Sequence, residues 1–200
     1  MTEVEPGWEE RWRDFHRGVR VGPLWIGPPW GEPPAGALPV SIDPGQAFGT
    51  GAHATTRLCL ELLAELPRGS LLDVGCGSGV LAIAAARLGF GPVSAVDVAD
   101  TAVAATITNA GANGVQIDAR LLDARAEQLP PAQVAVANIA LDTIEALMPL
   151  LAVEQLVTSG YLARDAVRPR GYRLLDRREL DGWAGELYAR APERRSSICA

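Results

Sequence analysis

Lysine is absent from the chain: all 18 basic residues are arginine, so chemistry aimed at lysine amines would find no target on the protein itself. Histidine and cysteine are scarce. His16 and His53 are the only imidazoles, too few for an ordinary zinc site, and no metal is expected. Cys59, Cys76 and Cys199 are odd in number and scattered, which excludes a disulfide framework and any CxxC pair. No apolar run approaches the ~18 residues needed to span a bilayer. The segment Met1-Thr2-Glu3-Val4-Glu5 is acidic and lacks the basic-then-apolar plan of a signal peptide, which predicts a cytoplasmic protein. A net charge of −6 argues against a nucleic-acid backbone as a direct partner. There is no internal repeat.

What is present centres on Leu71-Leu72-Asp73-Val74-Gly75-Cys76-Gly77-Ser78-Gly79-Val80-Leu81-Ala82-Ile83. An apolar run ends in an acid, three glycines follow at alternate positions, and an Ala/Leu-rich helical pattern begins. That order predicts a buried strand, a tight turn and a helix start. Such a turn lies at the carboxyl edge of an open α/β sheet, where ligands bind. The glycines allow close approach of backbone and ligand because no Cβ intrudes. Their spacing is tighter than the G-x-G-x-x-G of dinucleotide enzymes, which speaks against a nicotinamide-dependent oxidoreductase.

The chain of 200 residues suits one domain with a short appendage. Trp8, Trp12 and Phe15 form an amphipathic helical stripe over Pro6–His16. Gly22-Pro23 predicts a turn between short strands in Val19–Ile26, and the prolines beyond it an extended path to about Leu38. A strand at Val40, a Gly-rich loop and a helix to Leu66 follow, with Thr55 or Thr56 in its first turn. The pattern then reads as helix Val80–Leu88, strand Val93–Asp97, helix Asp100–Ala112 with Asp100 as its cap, and strand Ile117–Leu122 ending at Asp123. Strand Val134–Ile139 contains Asn138, near a helix starting at about Leu141. The fifth strand is expected over Val153–Ser159. Gly171–Glu179 and Trp183–Ala189 predict an antiparallel pair around Asp181-Gly182, with Arg177-Arg178 at an exposed strand end. Residues 192–200 read as a tail.

Two motifs carry a resemblance. The glycine turn, followed by the strand-end acid Asp97, is similar to motif I of class I S-adenosylmethionine-dependent methyltransferases. Together with Asp43-Pro-Gly-x-Ala-Phe-Gly-Thr-Gly-x-His-x-Thr-Thr56, it resembles the PrmA family, which methylates a protein of the large ribosomal subunit. The likeness runs from about Trp8 to Tyr188. It implies a Rossmann-like α/β fold: a mostly parallel sheet with a C-terminal antiparallel hairpin and helices on both faces. It also implies a boundary, with residues 1–38 as linker helix and short strands and 39–191 as the methyltransferase domain. The family's separate N-terminal recognition domain is not expected in this chain.

Carried over residue by residue, the resemblance implies S-adenosylmethionine as cofactor, held by Phe48, Gly49, Thr50, Thr56, Asp73, Gly75, Gly77, Asp97, Asp123 and Asn138. Asp97 would accept from the ribose hydroxyls, Asp123 would meet the adenine amino group, and Asn138 would also be catalytic by orienting the acceptor nitrogen. A capping role for Asn138 is the structural alternative. The partner implied is a protein substrate, first a large-subunit ribosomal protein. The alternatives are another protein, of the electron-transfer flavoprotein beta subunit type, or a small molecule. The family's Asn-Ile-Leu-Ala-x-Pro stretch is here Asn138-Ile139-Ala140-Leu141-Asp142-Thr143, a change in the wall near the acceptor.

Overall fold

The computed structural model describes residues 17–43, 51–168 and 170–192. The Trp8/Trp12/Phe15 stripe, His16, Phe48, Gly49, Thr50, Cys199 and residues 193–200 lie outside them.

A small sheet comes first. β1 (Val19–Val21) and β2 (Leu24–Gly27) form a hairpin through Gly22, and β3 (Leu38–Ser41) adds parallel to β2. Val21, Leu24, Ile26 and Val40 join the same core as α1 (Ala54–Glu65). This sheet spans residue 38, the boundary read from the sequence, so the strands before and after that point share one layer.

Two βαβ units follow: β4 (Leu71–Val74), α2 (Val80–Leu88), β5 (Val93–Asp97), α3 (Asp100–Ala112) and β6 (Asp118–Leu121). Then come β7 (Val134–Asn138), α4 (Leu141–Leu147) with a 3₁₀ turn at Met148–Leu150, β8 (Gln155–Leu162), β9 (Tyr172–Leu180) and β10 (Trp183–Arg190). The main sheet has seven strands in the order β6-β5-β4-β7-β8-β10-β9. Strands β6 through β8 are parallel, and β10 lies antiparallel between β8 and β9. This is the mostly parallel sheet with a C-terminal antiparallel hairpin that the sequence predicts. The chain reverses direction across the sheet between β4 and β7, which makes their carboxyl ends the switch point.

Both faces of the sheet are buried, and alternation decides which side each residue serves. Leu71, Ala95, Val134, Val136 and Val157 face the core beneath α1 and α2. Leu72, Val96, Ala135, Ala137 and Leu156 face the one closed by Ile144 and Leu147 of α4. A strand apolar at every position is what covering on both faces requires. Helix α2 ends in a Schellman motif: Gly89 adopts φ +96°, its N–H reaches Ala86 O, and Phe90 N–H reaches Ala85 O. Among the described residues no helix is long and apolar enough to cross a membrane.

Three expectations need correction. Strand β8 runs to Leu162 rather than stopping at Ser159. Gly160 does not end it but forms a bulge with φ +106°, where a Cβ would collide with the Ile139 backbone. The extra residue resets the alternation, so Thr158 and Tyr161 face the same side and their hydroxyls meet at 2.8 Å. Asp100 does not cap α3; the cap position is Ala99, whose N–H is taken by Asp97 Oδ1 at 2.9 Å. Arg177 is no exposed strand end. It pairs with Glu186, which is only 3% exposed, and donates to the Ala163 and Asp165 carbonyls, because β10 inserts beside β9 and brings a buried carboxylate opposite it. Arg178 likewise pairs with Glu65 and Asp176.

Candidate active site at the switch point

A cavity of about 960 Å³ opens at the carboxyl ends of β4, β5 and β7. That volume is in the range of sites that enclose a ligand of drug size. Its floor is the glycine turn. Gly75 and Gly77 take φ +78° and +54°, and a Cβ on Gly75 would stand 2.5 Å from Ile139 Cγ2. The N–H groups of Gly75 and Cys76 both donate to Val96 O, which fastens the turn to the end of β5.

Asp97 closes one side. Its Oδ2 accepts from Gly77 N–H at 3.0 Å and its Oδ1 from Ala99 N–H at 2.9 Å. Two backbone donors hold the carboxylate in place, and each oxygen keeps capacity for a further donor. Val98, Leu122 and Asp123 continue the wall. Asp123 Oδ1 accepts from Arg125 N–H at 2.9 Å, and that bond holds its carboxyl below the usual carboxylate range.

The other side is built by α1 and β7. Asn138 Nδ2 donates to Thr56 Oγ1 at 3.3 Å, with Thr56 buried in the first turn of α1. Asn138 does not cap α4, whose cap position is Ala140 without a side-chain bond. His53 caps α1, its Nδ1 accepting from Thr55 N–H, and its ring forms a T-shaped pair with Trp183, centroids 5.0 Å apart.

Asp73 lies beneath the cavity rather than in its wall. It is 1% exposed, accepts from Ala82 N–H through Oδ2 at 3.1 Å, and its Oδ1 has no hydrogen-bond partner. Burial, against that hydrogen bond and with the neighbouring charge of Asp97, pushes its carboxyl up to about 7. Cys76 lines the cavity, but burial and the nearby Asp73 push its thiol up to about 12, so it is a neutral sulfur rather than a nucleophile. Among the described residues no cluster of His, Cys, Asp or Glu is arranged to hold a metal ion. Of the positions singled out in the sequence, Thr56, Gly75, Gly77, Asp97, Asp123 and Asn138 therefore line one cavity.

The family model for ribosomal protein L11 methyltransferase (PrmA) matches residues 2–166. The chain belongs to the PrmA family. A ribosomal protein L11 methyltransferase of Symbiobacterium thermophilum is 42% identical over 204 residues, covering 92% of this chain and 66% of that protein. One from Bordetella parapertussis is 50% identical over 139 residues, covering 65% of this chain and 44% of that protein. The chain thus spans two thirds or less of these relatives' lengths. The crystal structure of a ribosomal protein L11 methylase from Lactobacillus delbrueckii subsp. bulgaricus superposes with a TM-score of 0.76 at 27% identity, covering 88% of this chain and 99% of that one.

Sequence reading of this PrmA-family chain missed His53, Thr143, Gly160 and Trp183, all of which line the cavity. Only the sheet order brings the last two there. β10 runs antiparallel, so its first residue, Trp183, comes to the carboxyl edge of the parallel strands beside Leu162.

Proposed function

We propose that the chain binds S-adenosylmethionine in this cavity and transfers methyl groups to amino groups of a protein, in the first instance lysines of a large-subunit ribosomal protein in the cytoplasm. One observation carries the reading: the glycine turn, Asp97 and the Asn138–Thr56 pair, far apart in sequence, line a single cavity at the switch point.

The residues present fit that cofactor. The collision a Cβ on Gly75 would make with Ile139 shows how closely the turn and the end of β7 approach, leaving bare backbone against the ligand. Asp97, with one acceptor position left on each oxygen, matches the paired hydroxyls of a ribose. Val98 and Leu122 offer apolar contact to a base, and Asp123 an acceptor for its amino group. S-adenosylmethionine supplies a methyl group already activated by its sulfonium. The work left to the chain is positional. Thr56 engages the Asn138 amide nitrogen, so the amide's carbonyl oxygen is the acceptor available to an N–H of the incoming amine. No side chain in the wall is needed as a nucleophile, in keeping with the neutral Cys76 thiol.

Calorimetric titration with S-adenosylmethionine, S-adenosylhomocysteine and NAD tests the reading. Binding of the first two and not of NAD is expected. Binding of NAD alone would replace methyl transfer with hydride transfer.

A further inference from the structure

We propose that Trp183 is the cation-binding wall of the acceptor end of the cavity; this rests on the methyltransferase reading above. The cavity has two chemically different ends. Of the two carboxylates in its lining, Asp97 is the last residue of β5 and Asp123 follows β6. His53, Thr56, Asn138, Thr143 and Trp183 form the other end, around β7, β8 and β10. Four strand spacings separate β5 from β10, roughly 19 Å. Among the described lining residues no carboxylate reaches the Trp183 end, and Trp183 is the only Phe, Tyr or Trp in the wall.

The indole is held in place from two sides. Asp181 and Gly182, at φ +50° and +79°, make the tight turn that starts β10 at Trp183. The His53 and Trp183 rings form a T-shaped pair with centroids 5.0 Å apart and planes at 69°, and His53 is itself tied to Thr55 Oγ1 at 2.8 Å. The aromatic pair leaves Trp183 in the cavity wall.

Each transfer leaves a positive charge on the nitrogen, which an aromatic face can hold. In each transfer the nitrogen lone pair forms the N–C bond while the C–S bond breaks, its electron pair staying on sulfur. After the first and second transfers the nitrogen returns a proton to water. After the third it has none to return, and a fixed positive charge remains. The Asn138 carbonyl orients the nitrogen only while an N–H survives. A methylated ammonium without N–H donors is held by an aromatic face instead. The Trp183 end therefore supplies what Asn138 loses as methylation proceeds.

The experiment titrates the protein, saturated with S-adenosylhomocysteine, with tetramethylammonium chloride and separately with neopentyl alcohol, an uncharged molecule of similar shape. In the unchanged protein the readout is the Trp183 indole N–H resonance, assigned by its loss in Trp183→Phe; affinities of the unchanged protein and of both variants are compared by calorimetry. A shift with tetramethylammonium but not with the alcohol is expected, with affinity about tenfold weaker in Trp183→Leu and less affected in Trp183→Phe. Equal responses to the two probes, or unchanged tetramethylammonium affinity in Trp183→Leu, would overturn the proposal. Failure of S-adenosylhomocysteine to bind the unchanged protein would instead overturn the methyltransferase reading beneath it.

Discussion

Asn138 and Thr56 stand 82 residues apart in sequence, yet Nδ2 of one donates to Oγ1 of the other at 3.3 Å. The bond joins the end of β7 to the first turn of α1 in the wall of the cavity. If this pair orients the acceptor, Asn138→Ala should lower kcat by about a hundredfold, the scale of a misplaced reacting group, while cofactor affinity changes little. Thr56→Val, which keeps the shape and removes the hydroxyl, should move in the same direction by less. Parallel calorimetry and methyl-transfer kinetics separate the two effects. Equal losses in both would make Asn138 a cofactor residue only.

Asp97 should govern the cofactor and not the acceptor. Its carboxylate is fixed by the N–H groups of Gly77 and Ala99. Asp97→Ala should weaken S-adenosylmethionine binding by ~1–3 kcal/mol through lost charge-assisted hydrogen bonds. Unchanged affinity would remove the ribose from this side of the cavity.

The two glycines Gly75 and Gly182 share nearly the same φ, +78° and +79°. A Cβ on Gly75 meets Ile139 at 2.5 Å, whereas one on Gly182 meets nothing within 4 Å. Replacing either with Ala should cost roughly 1–2 kcal/mol for the left-handed backbone. Only Gly75→Ala should also impair cofactor binding. Thermal melts with and without S-adenosylhomocysteine measure both terms, and a ligand-induced rise in Tm retained by Gly75→Ala would contradict the close approach of turn and ligand.

The buried Asp73 carboxyl gives a pH dependence with a definite sign. Its folded value of about 7 lies above the ordinary 3.8, so the folded chain holds a proton that the unfolded chain gives up. The contribution to stability is complete below 3.8, falls as pH rises towards 7 and is level beyond. Asp73→Asn should remove that slope and gain on the unchanged chain more at pH 8 than at pH 5. Urea denaturation at the two pH values provides the comparison. An equal difference at both would mean that Asp73 is ionised throughout.

Glu186 gathers Arg177 and the hydroxyls of Tyr161 and Tyr188 in the interior of the sheet. Arg177→Met leaves that carboxylate without its cation and should destabilise the fold by about 3–5 kcal/mol. A loss of less than 1 kcal/mol in denaturant titration would show the charge to be compensated by the two tyrosines alone.

The parts of the fold set by local chemistry were legible in the sequence. The three alternate glycines after an apolar run could only be a turn at a strand end, and Asp181-Gly182 could only favour a hairpin. Asp97 and Asn138 each lie at the end of a buried strand, and their expected roles came from the resemblance to the PrmA family. What escaped depends on which strands become neighbours. Nothing near Arg177 signals that β10 will insert between β8 and β9 and set Glu186 opposite it. The same insertion carries Trp183 into the cavity wall, although its own neighbourhood reads as an ordinary hairpin. The strand expected to stop at Ser159 continues because Gly160 forms a bulge against the Ile139 backbone, a contact that no local pattern signals.

The most direct measurement is transfer of labelled methyl from S-adenosylmethionine into an extract of cells lacking this protein, followed by acid hydrolysis of the labelled product. Methyl-lysine recovered from one small protein of the large ribosomal subunit is the expected result. Label confined to low-mass material, or none at all, would contradict protein amine methylation.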